Sequence, residues 1–190
     1  MSTVPKHYIT PEEYLEQERK SDEWRNEYFG GEIFPISGAS RRHALITTNL
    51  VSELKQKLRG RPCNVYSSSL RVRVSPTGLY TYPDVVVTCG EEQFLDATND
   101  TLLNPLLLIE VLSDSTKDYD RGQKFESYRT LASLKEYLTI AQDKIHVEQW
   151  QRQPDRRWLL SEHFDTTASI LLNSVDVELL LANIYEGIKT

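Results

Sequence analysis

One carboxylate interrupts the most apolar segment of this chain. Residues 106–112 read LLLIEVL, a run that is apolar at both odd and even positions and too short for a typical helix. Such a run is typical of a β-strand covered on both faces, so it predicts structural layers on either side of a sheet. Glu110 lies inside this run, where an ionised carboxylate is unstable unless a cation, a metal ion or a cluster of donors compensates it.

A second carboxylate, Asp84, lies between Pro83 and the apolar residues VVV. Two neighbouring strands would bring Asp84 and Glu110 to one sheet edge, where paired carboxylates repel each other unless a divalent cation lies between them. Oxygen ligands of this kind favour Mg²⁺ or Mn²⁺. The alternative is that Glu110 is a buried salt-bridge partner, for example of Arg71 or Arg73, and that Asp84 belongs to an ordinary turn.

Local patterns predict the remaining elements. They are a helix from 11 to about 19 after a capping box, a hairpin around Gly30 and Gly31, a helix over 42–58, a strand over 65–74, strands at 82–89 and 106–112, a helix over about 118–131, strands at 136–141, 144–151 and 156–164, and a closing amphipathic helix over 176–188. This order favours an α/β (α+β) fold in which helices flank a mixed central sheet. We expect one domain over residues 1–190.

Composition narrows the functional classes. Apolar residues make up 39% and charged residues 26% of the chain, which predicts a folded protein, and the net charge of -6 argues against a broadly basic surface. A local basic groove stays possible. Cys63 and Cys89 are too few and too scattered to suggest a disulfide framework or a zinc cluster, which favours a reduced compartment. With a polar N-terminus and no apolar run of about 18 residues, we expect a cytoplasmic protein that does not enter a membrane.

Several motifs, taken together, resemble those of the Uma-two family of restriction-endonuclease-like proteins. In chain order they are TPEEYL, NEYFGGEI, GASRRH, SLRVRV, YPDVVV, LLLIEVLS, DRGQKFESYR, KEYLTI and NIYEG. The family is considered a divergent branch of the PD-(D/E)XK nucleases, in which an Asp, an acidic residue on an apolar strand and a Lys hold metal and activate water. The resemblance therefore implies a restriction-endonuclease-like fold.

The resemblance also implies site residues. Asp84 matches the first acidic position and Glu110 the second, with the carbonyl of Val111 as a further metal ligand. The usual lysine would lie two residues after Glu110, where this chain has Leu112, and Lys124 matches the lysine that similar proteins carry on the following helix. These residues imply an Mg²⁺- or Mn²⁺-dependent endonuclease acting on DNA. The plain alternative is that Lys124 is a solvated residue of an exposed helix.

Further residues extend the predicted site. Glu27 and His43 match family positions and are candidates for supporting or additional ligands, although a histidine at a helix start is more often a capping or core residue. Tyr128 lies one turn after Lys124 on the same helix face, which makes it a candidate supporting residue of the site. Arg121 lies three residues before Lys124.

A polar strand face is the candidate nucleic-acid contact. Arg71 and Arg73 share this face with Ser67 and Ser69, and their spacing suits phosphate contacts, as does Arg121. The alternative is a solvated edge strand. Ser69 also departs from the family, because relatives commonly carry an Asp there.

Two further functions stay open. The chain could be a binding module that has the fold without turnover, for which Leu112 and Ser69 are the sequence support. It could also be an interaction protein that pairs as a homodimer through the strands predicted at 144–151 and 156–164.

Overall fold

The computed structural model describes residues 8–21, 24–36, 38–113 and 117–188. The strands in chain order are β1 (Asn26–Phe29), β2 (Glu32–Pro35), β3 (Cys63–Ser67), β4 (Arg71–Val74), β5 (Leu79–Thr81), β6 (Val85–Cys89), β7 (Thr101–Leu102), β8 (Leu107–Leu112), β9 (Glu136–Ala141), β10 (Val147–Arg152), β11 (Trp158–His163), β12 (Ser169–Leu172) and β13 (Val177–Leu180). The helices are α1 (Pro11–Lys20), α2 (Arg41–Lys57), α3 (Lys117–Tyr119), α4 (Phe125–Tyr128) and α5 (Leu181–Ile184), with a π-helical turn over Asp120–Lys124 between α3 and α4.

A six-stranded mixed sheet lies at the centre, in the order β11-β10-β9-β8-β6-β3. Its middle strands β8 and β9 are parallel, and the other neighbours are antiparallel. Every residue of β8 is buried, as the apolar run predicts for a strand covered on both faces. The predicted fold class, a mixed α+β fold with helices flanking a sheet, is therefore confirmed.

Different layers cover the two faces of this sheet. On one face, the apolar side of α2 packs with residues of β12, β13 and α5. On the other face, α4 and residues of a second, five-stranded sheet pack against Val86, Leu108 and Tyr137. The order of the second sheet is β2-β1-β5-β4-β7, and α1 packs on it through Tyr14. Polar side chains buried between the two sheets are shielded from water, so they require partners within the protein.

Most predicted elements are confirmed. Thr10 and Glu13 form the capping box that starts α1, since each side chain accepts a hydrogen bond from the other residue's backbone N–H. Gly30 and Gly31 both have positive φ in the turn of the predicted hairpin. Within the described ranges, no helix has the length and apolarity needed to cross a membrane.

The predicted strand over 65–74 is wrong, because the chain turns inside it. Ser69 N–H donates to the Ser67 carbonyl at 2.6 Å, which closes a turn, and β3 and β4 then belong to different sheets. Serine side chains and backbone groups favour such local bonding over a continuous ladder. The alternating pattern continues through the turn and so conceals it.

The predicted closing helix is also mostly wrong. Residues Val177 and Leu179 are buried and Glu178 and Leu180 are exposed, which is the period of a strand, and β13 pairs with β12 in a hairpin. Only Leu181–Ile184 is helical. Packing of this hairpin against the central sheet overrides the helical pattern of the sequence.

The two cysteines are scattered along the sequence but adjacent in space. Cys63 on β3 is the register partner of Cys89 on β6, and the two form a disulfide. The expectation that two scattered cysteines do not indicate disulfide bonding is therefore wrong. Antiparallel pairing of strands that are distant in sequence brings them together, which their separation of 26 residues does not indicate.

Candidate active site

A buried lysine lies at the centre of three carboxylates. Lys124 Nζ lies 3.0 Å from Glu27 Oε1, 3.0 Å from Glu110 Oε1 and 3.4 Å from Asp120 Oδ1. Lys124 is 6% exposed and Glu110 4% exposed. Charges at this depth are stable only when paired, so these four side chains act as one electrostatic unit.

Three separate elements position these charges. Glu27 is on β1 of the five-stranded sheet, Glu110 is on β8 of the central sheet, and Asp120 and Lys124 are the first and last residues of the π-helical turn. The wider π-helical turn is rare and occurs frequently at functional sites. Here both of its end residues are buried charges. The turn therefore aims a cation and an anion into the space between the two sheets.

Asp84 lies beside Glu110 at the start of β6. Val85 pairs with Ile109, and continuing this antiparallel register by one residue places Asp84 opposite Glu110. Asp84 Oδ2 accepts a hydrogen bond from Val111 N–H at 2.7 Å and lies 3.0 Å from His43 Nε2. We call Glu27, Asp84, Glu110, Asp120 and Lys124 the carboxylate cluster.

Hydroxyl groups fix the orientation of two carboxylates. Tyr128 Oη donates to Glu110 Oε1 at 2.7 Å, and it lies 3.4 Å from the hydroxyl of Thr81. The Thr81 hydroxyl in turn donates to Glu27. Both acidic side chains are thus held by a donor in addition to Lys124, which limits their rotation.

The pKa values in the cluster follow from burial and from neighbouring charges. Burial raises the pKa of Glu110 to about 8, and the negative charges of Asp120 and Asp84 add to this against the attraction of Lys124. Burial alone would lower the pKa of Lys124, but Glu110 and the other surrounding groups raise it well above its usual value. At neutral pH the cluster therefore contains a charged lysine and takes up an extra proton.

His43 responds to its carboxylate partner in the same way. Burial by itself lowers the pKa of His43, whereas the hydrogen bond to Asp84 and the charges of Asp84 and Asp120 raise it above the usual value. The ring is held at the start of α2, where His43 N–H also donates to the Ser40 hydroxyl. His43 is therefore positioned to hold the Asp84 side chain in place.

The arginines predicted to contact nucleic acid do not form an exposed strand face. Arg71 is 3% exposed, and its guanidinium binds Asp100 at 2.9 Å, the Thr101 hydroxyl at 2.9 Å and Tyr82 Oη at 3.0 Å. Arg73 is half-buried, with its guanidinium over the ring of Tyr80. The prediction of a wet face is wrong here because β4 is an inner strand of the five-stranded sheet.

Arg121 lies at the edge of the site. Its Nε donates to Glu148 Oε2 at 2.8 Å, and Glu148 also accepts from the Thr139 hydroxyl at 2.6 Å. Glu148, His146 and Glu162 have ligand atoms within 4.8 Å of one another, which is close enough to consider a metal. However, Arg121 already compensates Glu148, and His146 Nε2 lies 2.9 Å from Glu162. These contacts account for the group as an ion-pair network.

Comparison with known proteins decides the family. The Uma2 family model, described as a putative restriction endonuclease, matches residues 11–182. The chain belongs to the Uma-two family. The match covers each residue of the carboxylate cluster, so the site just described lies within the part of the chain that defines the Uma-two family.

Relatives and one solved structure agree with this assignment. The uncharacterized protein sll1609 of Synechocystis sp. is 40% identical over 162 residues, which cover 85% of this chain and 91% of that protein. The uncharacterized protein slr1290 of the same organism is 31% identical over 186 residues, covering 98% and 96%. The crystal structure of a putative nuclease belonging to DUF820 from Anabaena variabilis superposes with a TM-score of 0.71, covering 84% of this chain and 89% of that chain at 17% identity. The chain thus has a nuclease-like fold.

Membership of the Uma-two family implies use of a divalent metal, and the donor set of this site fits one. The carboxylates of Asp84 and Glu110 lie on adjacent strands and supply the oxygen ligands that Mg²⁺ and Mn²⁺ prefer. Asp84 Oδ1 and Glu110 Oε2 have no hydrogen bond to a described residue, whereas the second oxygen of each side chain is held.

Two members of this site were missed by reasoning from the sequence. Asp120 lies four residues before Lys124, and this helical spacing is a signal that could have been used. Thr81 carries no such signal, because its role depends on the pairing of β1 with β5.

Proposed function

We propose that this protein is an endonuclease that hydrolyses the phosphodiester bonds of DNA with the aid of Mg²⁺ or Mn²⁺. The observation that carries the proposal is the convergence of Asp84 and Glu110, from adjacent strands, next to the buried Lys124. The lysine reaches Glu110 from the π-helical turn, although position 112 on the strand is Leu. This supports the catalytic assignment of Asp84, Glu110 and Lys124.

Asp84, Glu110 and the carbonyl of Val111 are the residues that would hold the metal. A divalent ion bound by oxygen ligands lowers the pKa of an attacking water and stabilises negative charge on the phosphate. Asp84 is kept in place by Val111 N–H and His43, and Glu110 by Tyr128. These contacts leave Asp84 Oδ1 and Glu110 Oε2 without a hydrogen bond to a described residue, and these two oxygens would bind the cation.

Lys124 has a separate task in this proposal. Its ammonium would offset the negative charge that develops on the phosphate. Glu27 and Asp120 retain Lys124 in its charged form, since both lie within ion-pair distance of Nζ. His43 and Tyr128 act as positioning residues, because they contact the acidic side chains.

A plasmid-nicking assay with Mn²⁺ tests the function. Asp84→Asn and Glu110→Gln preserve side-chain size and should each reduce cleavage at least about 100-fold, the scale for loss of one charge-stabilising group. Glu178→Gln on β13 is the matched control, because this exposed carboxylate lies outside the cluster, and it should cleave normally. Cleavage that is unchanged in Asp84→Asn and Glu110→Gln would refute the assignment.

The same assay addresses the second candidate function, a nucleic-acid-binding module without turnover. Such a module would bind DNA and show no nicking with Mn²⁺ or Mg²⁺, either in the wild-type protein or in the variants. The contacts of Lys124 favour the enzyme, because a buried lysine that binds three carboxylates is costly to retain without a functional role.

We further propose that the protein forms a homodimer through β11. Within the described residues, β11 is an edge strand of the central sheet. Leu159 in this strand is 51% exposed, and Phe164 directly after it is 61% exposed. Exposed, apolar edge strands tend to pair with another strand. Size-exclusion chromatography with light scattering should give a dimer mass, and Leu159→Lys should give the monomer; a wild-type monomer would contradict this proposal.

A further inference from the structure

A basic cleft adjoins the carboxylate cluster at the carboxyl ends of the parallel strands β8 and β9. It is a cavity of about 620 Å³, bounded by the start of α2, the end of β8, the π-helical turn and the connection from β9 to β10. In sheets with parallel strands, ligands bind preferentially outside the carboxyl ends of the strands. The cleft lies at the carboxyl ends of the one parallel pair among the described strands of the central sheet, a position suited to a substrate.

The charge of this cleft is opposite to that of the whole chain. The net charge of the protein is -6, yet five of the described residues lining the cleft are basic and one, Asp143, is acidic. The basic residues are Arg41, Arg42, Lys117, Arg121 and Lys144. A concentration of positive charge on an acidic protein attracts and orients a polyanion.

Two of these cations have no carboxylate partner among the described residues. Neither Arg41 nor Lys144 forms an ion pair with a described residue, and both are exposed. Arg121 uses only Nε for Glu148, so its two terminal nitrogens make no hydrogen bond to the described part of the chain. In addition, the first turn of the 17-residue helix α2 contains no acidic residue that would oppose an anion there.

The cleft is connected to the cluster through three chain segments. Arg41 and Arg42 directly precede His43, which contacts Asp84. Leu112 of the cleft wall follows Val111, and Arg121 follows Asp120. A strand whose phosphates lie in the cleft would thus continue toward Asp84 and Glu110.

We propose that this cleft binds the phosphodiester backbone of the nucleic-acid strand next to the bond that is cut, and that it does so independently of base sequence. The proposal rests on the proposed function and names how the substrate is held. Among the described lining residues none is aromatic, so a base-stacking platform is lacking. The Gln142 side chain, which is suited to reading a base edge, already accepts a hydrogen bond from Ser40.

Fluorescence anisotropy of a labelled DNA duplex tests this inference. The affinity is measured in EDTA over a series of salt concentrations. The double variant Arg41→Gln/Lys144→Gln should bind about tenfold or more weakly, and its slope of log affinity against log salt should be smaller by about 2, since each lost phosphate contact removes about 0.9. Arg59→Gln is the matched control, because Arg59 is exposed just beyond the opposite end of α2. It should leave affinity and slope unchanged.

Several outcomes decide the matter. Unchanged affinity and slope in the double variant would overturn the cleft assignment, and so would an equal loss in Arg59→Gln. Two duplexes of unrelated sequence should bind with affinities within about threefold, and a preference above about tenfold would overturn the sequence independence. If the double variant is unstable in a thermal melt, Lys144→Gln alone should reduce the slope by about 1.

The assay also separates this inference from the nuclease assignment. It is performed without metal, so failure of hydrolysis leaves the binding result intact. Conversely, the wild type could cleave DNA in the presence of metal while the double variant binds DNA as the wild type does. That result would support the nuclease assignment and refute the assignment of the cleft.

Discussion

Lys124 Nζ and Glu110 Oε1 lie 3.0 Å apart, and this contact joins a π-helical turn to the middle of the central sheet. Both side chains are almost fully enclosed, so neither charge can be compensated by water. This pair links the covering helical segment to the sheet, and it links the stability of the fold to the chemistry of the site.

Removing the cation should destabilise the protein. Lys124→Met leaves Glu27, Glu110 and Asp120 without their common partner, and the free energy of unfolding should fall by about 3–5 kcal/mol. Urea denaturation measures this loss. Lys135→Met is the control, because Lys135 is exposed, and it should change stability by less than about 0.5 kcal/mol. A Lys124→Met protein as stable as the wild type would contradict the ion-pair description.

Replacing Glu110 should weaken metal binding without lowering the thermal stability of the protein. Glu110→Gln keeps an acceptor for Tyr128 and removes one of several mutually repelling carboxylates, so its thermal stability should not decrease. Its affinity for Mn²⁺ in calorimetric titration should fall at least about tenfold. Glu178→Gln should bind Mn²⁺ as the wild type does. Equal affinity in Glu110→Gln and wild type would exclude Glu110 as a ligand.

Metal affinity should rise with pH until it levels off near pH 8. Burial is the main cause that raises the pKa of Glu110 to about 8. Below that pH, a cation that binds Glu110 must therefore displace the proton from its carboxyl group. Each unit below about 8 should therefore weaken Mn²⁺ binding by up to about tenfold. Calorimetric titrations across this range provide the measurement, and Glu110→Gln should give a flatter profile. Parallel profiles for the two proteins would show that the proton resides elsewhere.

Without metal, the same carboxyl should make stability decline as pH rises. The folded protein holds the proton between the ordinary pKa of Glu, 4.5, and about 8, whereas the unfolded chain has released it. The folded state therefore binds more protons in this window, and the free energy of unfolding decreases with increasing pH. Urea denaturation at several pH values measures this effect. As the pH rises, the unfolding free energy of the wild type should fall relative to that of Glu110→Gln.

The Cys63–Cys89 disulfide should contribute to stability under oxidising conditions. It closes a loop with a sequence separation of 26 residues, for which the expected contribution is roughly 3 kcal/mol. Adding a reductant should lower the thermal midpoint of the wild type to that of the Cys63→Ser/Cys89→Ser variant, which itself should not respond. A wild-type midpoint that ignores the reductant would refute this. The cytoplasmic location expected from the sequence stays a prediction, and it implies that alkylation in cells would label both thiols.

Arg71 should be a structural residue. Arg71→Met removes the partner of Thr101, Tyr82 and Asp100, and it should lower the free energy of unfolding by about 2–3 kcal/mol, because Asp100 retains Arg19. DNA affinity of the folded variant should equal that of the wild type in the anisotropy assay. Weaker binding with unaltered stability would restore Arg71 as a nucleic-acid contact.

Local sequence signals predicted much of the architecture because they depend on residues close together in the chain. The capping box of α1, the glycines of the first hairpin and the apolar run of β8 each involve neighbours within a few positions. Where the pattern was ambiguous, tertiary packing decided: residues 177–180 form a strand although their sequence suits a helix, and the serines before Arg71 end one strand and start another sheet.

The residues of the candidate site also fall into those that the sequence indicates and those that only the tertiary structure brings together. From the sequence alone, Glu110 was recognisable as a buried charge that needs compensation, and Asp84 as its expected neighbour on another apolar strand, because alternation and apolarity report burial. Only the tertiary structure decided that Lys124 meets Glu27 there, that Cys63 faces Cys89, and that Arg71 is enclosed. These contacts join residues far apart in the chain, and they depend on strand register and on how two sheets pack, which no local pattern encodes.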